Sequence, residues 1–172
     1  MLAESLDSAV GNTVLTFIPF LLISQGMDLK NTTSIFIIIY MGGALGKVFS
    51  GKLSDYFPPI NVIVITKILT SFSLLAILFI DYKIAIFLVF FLGIGLNGTS
   101  SVFYGSVARV TDIKQRGKYF GIYYTATEGM GSISPLIFGI ISDIFNIQVT
   151  IYLIFVICLS VIPISYKVNL KN

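Results

Sequence analysis

The chain contains no histidine, a single cysteine and few charges, with 11 lysines and arginines and 8 aspartates and glutamates in 172 residues. The missing histidines exclude His-based acid–base catalysis and His ligation of a metal. Cys158 stands alone in an apolar run, so no disulfide, CxxC pair or thiolate metal cluster can form within the chain. It reads as a small hydrophobe, buried or facing lipid. A Gly-rich phosphate loop, an HExxH pair and a Ser nucleophile elbow are also missing. The expectation is therefore a protein that is not an enzyme and uses neither cofactor nor metal. No basic leader segment opens the sequence, because Glu4 and Asp7 occupy its place.

What is present is hydrocarbon. Hydrophobic residues make up 56% of the chain and charged residues 11%, with a mean hydropathy of +0.95, whereas a soluble domain is about 25% charged. The length suits about six membrane spans of about 20 residues each. The apolar runs fall at Ala9 to Ser24, Thr32 to Leu53, Ile60 to Ile80, Ile84 to Val107, Tyr119 to Ile141 and Ile147 to Tyr166. The first is diluted by Asn12, Thr13, Thr16 and Pro19 and preceded by Glu4 and Asp7. The second carries Gly42, Gly43, Ala44 and Gly46, small residues that let helix backbones approach closely. Gly51 to Phe57 reads as a short polar turn after it, and Pro58-Pro59 forbids continued helix, Pro59 suiting the first turn of the next one. In the third run Lys67 lies about two turns from one end, a position from which its stem can snorkel to the headgroups. The fourth turns small and polar from Gly93 through Asn97 to Ser101.

Basic residues set the orientation. Connections after the second, fourth and sixth runs hold Lys52, then Arg109, Lys114, Arg116 and Lys118, then Lys167 and Lys171; the alternate connections hold Lys30 and Lys83. The positive-inside rule puts the first set and both termini in the cytoplasm of a multi-pass protein of the cell membrane. The net charge of +3 thus speaks of lipid rather than nucleic acid. Tyr56, Tyr82, Tyr119 and Tyr166 fall near span ends, as an aromatic belt would.

The pattern G-x-x-S-D-x-F occurs at Gly51 to Phe57 and again at Gly139 to Phe145. An offset of 88 residues aligns Gly43 with Gly131, Ser54 with Ser142 and Asp55 with Asp143. The copies close the second and fifth spans, the middle members of two three-span units, about residues 1–82 and 83–172. Odd-numbered units run in opposite senses, so one six-span domain over residues 1–172 is expected to be a 3+3 inverted repeat.

These motifs resemble the C-terminal six-helix half of a major facilitator superfamily transporter, over nearly the whole chain. Gly51-Lys-Leu-Ser-Asp55 is similar to the loop signature G-x-L-a-D-r-x-G-r-r in the form found between helices eight and nine. Arg109 to Lys118 with Tyr119-Phe-Gly121 resembles the basic loop before helix eleven, and Pro135 to Asp143 the end of that helix. After Asp55 the sequence departs from the signature, with Tyr56 where Arg is common and Pro58-Pro59 in place of Gly and basic residues. The resemblance implies secondary transport of a small solute between two such halves, the second half being a separate chain, a further part of a longer chain, or a second copy. It also implies that Asp55 faces the positive start of a helix in the other half; without that partner it is a solvated interfacial residue.

Candidate chemistry centres on Glu128. It lies about 14 Å along the fifth helix from Tyr119, close to the bilayer midplane, where a carboxylate is costly and marks a functional site by default. Gly121, Tyr124, Thr125, Glu128, Ser132 and Pro135 share one helix face. Glu128 is expected to bind a cationic or polar solute or to take up a driving proton; a structural hydrogen bond, or pairing with Lys47 or Lys67, is the alternative. Asn97, Asn12, Tyr124 and Thr125 are further candidates for solute hydrogen bonds, and interhelical bonding fits them equally. Tyr104 lies too near the cytoplasmic end for assignment. A non-transporting membrane remnant or assembly partner with the same half-fold is the competing functional reading.

Overall fold

A computed structural model describes residues 1–167; Lys171, used above for orientation, lies outside the described residues. Six α-helices occupy them: α1 Leu2–Ser24, α2 Thr32–Tyr56, α3 Pro59–Phe79, α4 Tyr82–Val110, α5 Arg116–Ile144 and α6 Ile147–Lys167, with a short 3-10 helix at Leu29–Asn31. The fold is all-helical, with no strand among the described residues. All helices except α5 are long and apolar enough to cross a membrane. Helix α5 is long enough, but its glycines, hydroxyls and Glu128 dilute it.

Two boundaries correct the sequence reading. Helix α1 begins at Leu2 rather than near Ala9, so Glu4 and Asp7 lie inside it, and both are buried. Nor is Gly51 to Phe57 a turn, since α2 continues through the motif to Tyr56. Gly and Ser raise the cost of a helix in water by at most about 1 kcal/mol per residue, too little to stop one already propagated from a membrane span. The stop is Pro58, which lacks a backbone N–H and biases Phe57 to extended geometry (φ −122°, ψ 152°). Pro59 then opens α3 from its first turn, as expected. Other connections are as tight. Gly26, at φ +100°, supplies the left-handed residue after α1, and the Asp81 carboxylate caps α4 by accepting from the Lys83 N–H at 2.9 Å.

Helices α1 and α4 meet at the middle of the bundle. Helix α1 packs on α5 and α6, α4 packs on α2 and α3, and α3 closes against α6. Small residues permit the tightest crossing, between α2 and α4. A Cβ added at Gly46 would sit 2.8 Å from Ile94 Cα, and one at Gly42 would overlap the Phe90 carbonyl oxygen. Since lipid is as apolar as leucine, this close van der Waals fit, rather than expulsion of water, holds the pair. Val14, Ile18, Leu74, Val89, Ile154 and Cys158 belong to one buried cluster, as the lone cysteine's apolar setting suggests. Hydroxyls tie helices together inside it: Thr99 donates to Thr66 Oγ1 at 2.9 Å and Thr13 to Ser134 Oγ at 3.1 Å.

Helices α2 and α5 each leave one long side uncovered. Phe36, Tyr40, Phe49, Ile122, Met130 and Ile133 are exposed there.

Candidate functional site

Buried charge organises the end of the bundle where α1 begins. Lys67, on α3, is wholly buried and forms an ion pair with Asp7 of α1, itself 4% exposed. The expected snorkelling of Lys67 is therefore wrong. Its stem runs inward because Asp7, one helix away and 60 residues earlier in sequence, supplies the opposite charge. Such a pair is tolerated in low dielectric only while both members are present. Glu4, one turn before Asp7, is 3% exposed, and its Oε2 has no hydrogen-bond partner. The Tyr123 hydroxyl of α5 lies within reach of the Glu4 carboxyl.

Glu4 and Asp7 form one wall of a cavity of about 190 Å³ between α1, α2, α4 and α5. Lys47 of α2, Asn97 and Tyr104 of α4, and Glu128 of α5 contribute the others. Glu128 is exposed, at the open side of the bundle. Neither Glu128 nor Lys47 enters an ion pair among the described residues, and Lys67, the other suggested partner, is taken by Asp7. Glu128 and Asn12 also line an adjoining hollow with Tyr40 and Ser132.

Glycines seat the two asparagines. A Cβ at Gly43 of α2 would lie 2.8 Å from Asn97 Cγ, and one at Gly131 of α5 would lie 3.4 Å from Asn12 Cγ. Each amide thus reaches the cavity over a facing helix that presents no side chain at that level. Of the residues expected from sequence, Glu128, Asn97 and Asn12 come together here. Tyr124 joins indirectly, stacking on Tyr104 with ring centroids 5.2 Å apart and planes at 28°. Thr125 does not line the cavity; its exposed hydroxyl donates to the Gly121 carbonyl at 2.9 Å.

Sequence reasoning missed Glu4, Asp7, Lys47 and Tyr104 as site residues. The available signal was charge balance, since two acids in the first helical turns and a lone lysine inside the third span each need a counter-charge in lipid.

Gly51 and Asp55 belong to a separate place, the C-terminal end of α2. Asp55 lines a second cavity with Ser54, Tyr56 and Arg109. Arg109 Nη2 lies 3.7 Å from Asp55 Oδ1 and donates to the Ser54 carbonyl at 3.1 Å. Asp55 therefore has a charged partner within this chain, on α4, rather than standing unpaired. The Arg109 and Asp55 side chains are 51% and 70% exposed, so the pair is worth less than about 1 kcal/mol.

A multi-span helical bundle that keeps ion-paired and unpaired charges around a polar cavity is a membrane protein built to accommodate something polar. The family model for the Major Facilitator Superfamily matches residues 1–169, and the chain belongs to that family. No curated protein and no solved structure matched it. The protein is accordingly a multi-pass membrane transporter of the major facilitator type, a family that moves small solutes across lipid bilayers.

Proposed function

We propose that the chain is one half of a secondary transporter, and that its solute or coupling proton binds at the cavity around Glu128. The observation that carries this reading is the position of Glu128. It is a carboxylate near the middle of α5, without an ion-pair partner among the described residues, sharing a polar cavity with Asn12, Lys47 and Asn97. Membrane proteins keep such groups facing a solute or ion path, because lipid would penalise them by several kcal/mol. Retention of this cavity favours transport over a non-transporting remnant of the same fold.

The cavity opens on the side where α2 and α5 are uncovered. A second six-helix half, from a longer chain, a separate chain or a second copy, would close it, and the two halves would rock about the bound solute. The packing pattern also supports reading residues 1–172 as one six-span domain with a 3+3 inverted repeat. Exchanging α1, α2 and α3 for α4, α5 and α6 turns the α2–α4 contact into α5–α1 and the α3–α4 contact into α6–α1. It likewise turns the Asn97–Gly43 contact into the Asn12–Gly131 contact. With the basic residues at the Lys52, Arg109 and Lys167 ends, both termini face the cytoplasm of a cell-membrane protein.

The test is uptake into proteoliposomes by wild type and Glu128→Gln. Loss of transport, or a flattened pH dependence, is expected. Equal uptake with an equal pH profile would remove Glu128 from the site.

A further inference from the structure

Two exposed charges of opposite sign line the cavity, and the protein answers neither. Lys47 comes from α2 and Glu128 from α5. Helix α2 packs on α4 and α5 on α1, with α1 and α4 meeting between them, so the two residues belong to opposite walls. Neither side chain forms an ion pair among the described residues. The remaining charged groups belong to the buried end of the site. Asp7 pairs with Lys67, and Glu4, one turn before Asp7, is within reach of the Tyr123 hydroxyl and the α-ammonium.

Between the two walls the cavity repeats itself in shape but not in charge. Asn97 of α4 lies over Gly43 of α2, and Asn12 of α1 lies over Gly131 of α5. Lys47 follows Gly43 by one helical turn, and Glu128 precedes Gly131 by one, so each charge shares a helix face with the glycine that seats an amide. One end of the site therefore joins an amide to an ammonium, and the other joins an amide to a carboxylate. An amide both donates and accepts, so each end can add a hydrogen bond to the charge it attracts. A cation alone would suit Glu128 and be opposed by Lys47, and an anion alone would meet the reverse. A neutral solute would take water from two charges and return no counter-charge to either. One molecule that carries both an amine and a carboxylate answers both ends.

We propose that this cavity binds a small zwitterion, its ammonium at Glu128 and Asn12 and its carboxylate at Lys47 and Asn97. This rests on the transporter reading above and narrows its solute to amino-acid-like molecules, with Lys47 selecting for the acid group. The cavity volume of about 190 Å³ favours a compact one.

Equilibrium binding tests this without requiring transport. Purified protein in lipid nanodiscs is titrated by calorimetry with glycine, β-alanine and γ-aminobutyrate, whose amine and carboxylate stand progressively further apart. Each is compared with the alkylamine and the alkanoate that lack its second charge. At least one zwitterion should bind saturably, with both of its singly charged analogues weaker by about tenfold or more. Lys47→Gln should bring that zwitterion within about threefold of the amine, and Glu128→Gln within about threefold of the acid. A Lys47→Gln protein that keeps the full preference for the zwitterion over the amine overturns the proposal. So does wild-type protein that binds none of the three saturably, or that binds the amine as tightly as the zwitterion. Those last comparisons stand even if a variant fails to fold. Zwitterion binding without counterflow in liposomes would refute the transport reading and leave this one standing. Counterflow of solutes bearing one charge or none, without zwitterion binding, would do the reverse.

Discussion

Separating Asp7 from Lys67 should be the most damaging small change in the bundle. Both are buried, so removing either partner leaves an uncompensated charge in low dielectric, a loss of about 3–5 kcal/mol. The two directions are not equivalent. Glu4 is also within electrostatic reach of Lys67, so in Asp7→Asn the lysine keeps a carboxylate nearby, and the loss should fall near about 3 kcal/mol. Lys67→Met instead leaves the buried Asp7 beside Glu4 without its ion-pair partner, which puts it near about 5 kcal/mol. The double variant Asp7→Asn/Lys67→Met removes both charges and should cost less than the worse single change, giving non-additivity of more than about 3 kcal/mol. Adding Glu4→Gln to Lys67→Met should recover part of its loss. The assay is reversible unfolding from mixed micelles by SDS titration, followed by far-UV circular dichroism. Single losses under about 1 kcal/mol, or strictly additive ones, would mean that the pair is solvated and the cluster is not an interior charge system.

Other consequences are smaller in scope. Gly46→Val should lower stability by about 1–3 kcal/mol or more, because the Ile94 backbone it would meet cannot swing aside. Gly51→Ala, in contrast, has open space around its position and should raise stability by about 0.5–1 kcal/mol in this chain alone, measured in the same titration. Cys158 is fully buried, so it should resist a water-soluble maleimide in the folded protein and react after denaturation. With Cys158 replaced by serine, cysteines placed at Lys114 and at Asp81, on either side of α4, should label from opposite faces of sealed vesicles; labelling from the same face would show that α4 does not cross the membrane. Arg109→Ala should shift stability by less than about 1 kcal/mol, as an exposed pair allows.

Helix number and the polar face of α5 were legible in sequence because each depends on residues close together along the chain. Span lengths follow from hydropathy, and Tyr124, Thr125, Glu128 and Ser132 share a face through the period of the helix alone. The α2 terminus was misjudged because Gly51, Ser54 and Asp55 resemble turn residues in water, although none of them removes a backbone donor, as Pro58 is the first to do. Lys67 was misread for a different reason. A lysine inside a span can snorkel or pair, and the choice depends on Asp7, which no local pattern connects to it. The cavity has the same character: Glu4, Lys47, Tyr104 and Glu128 lie on four helices, and only the crossing of those helices brings them to one place. Asn12 and Asn97 were found as isolated polar residues in apolar runs, but their seats opposite Gly131 and Gly43 depend on helix packing.

The central claim is that this bundle moves a solute through the site at Glu128. Its most direct test is an uptake screen under an imposed proton gradient, in proteoliposomes carrying the chain alone or with a second six-helix half. Wild type should accumulate a solute above protein-free liposomes, and Glu128→Gln should lose that uptake or its dependence on pH. No accumulation in either preparation, or a Glu128→Gln variant indistinguishable from wild type, would contradict it.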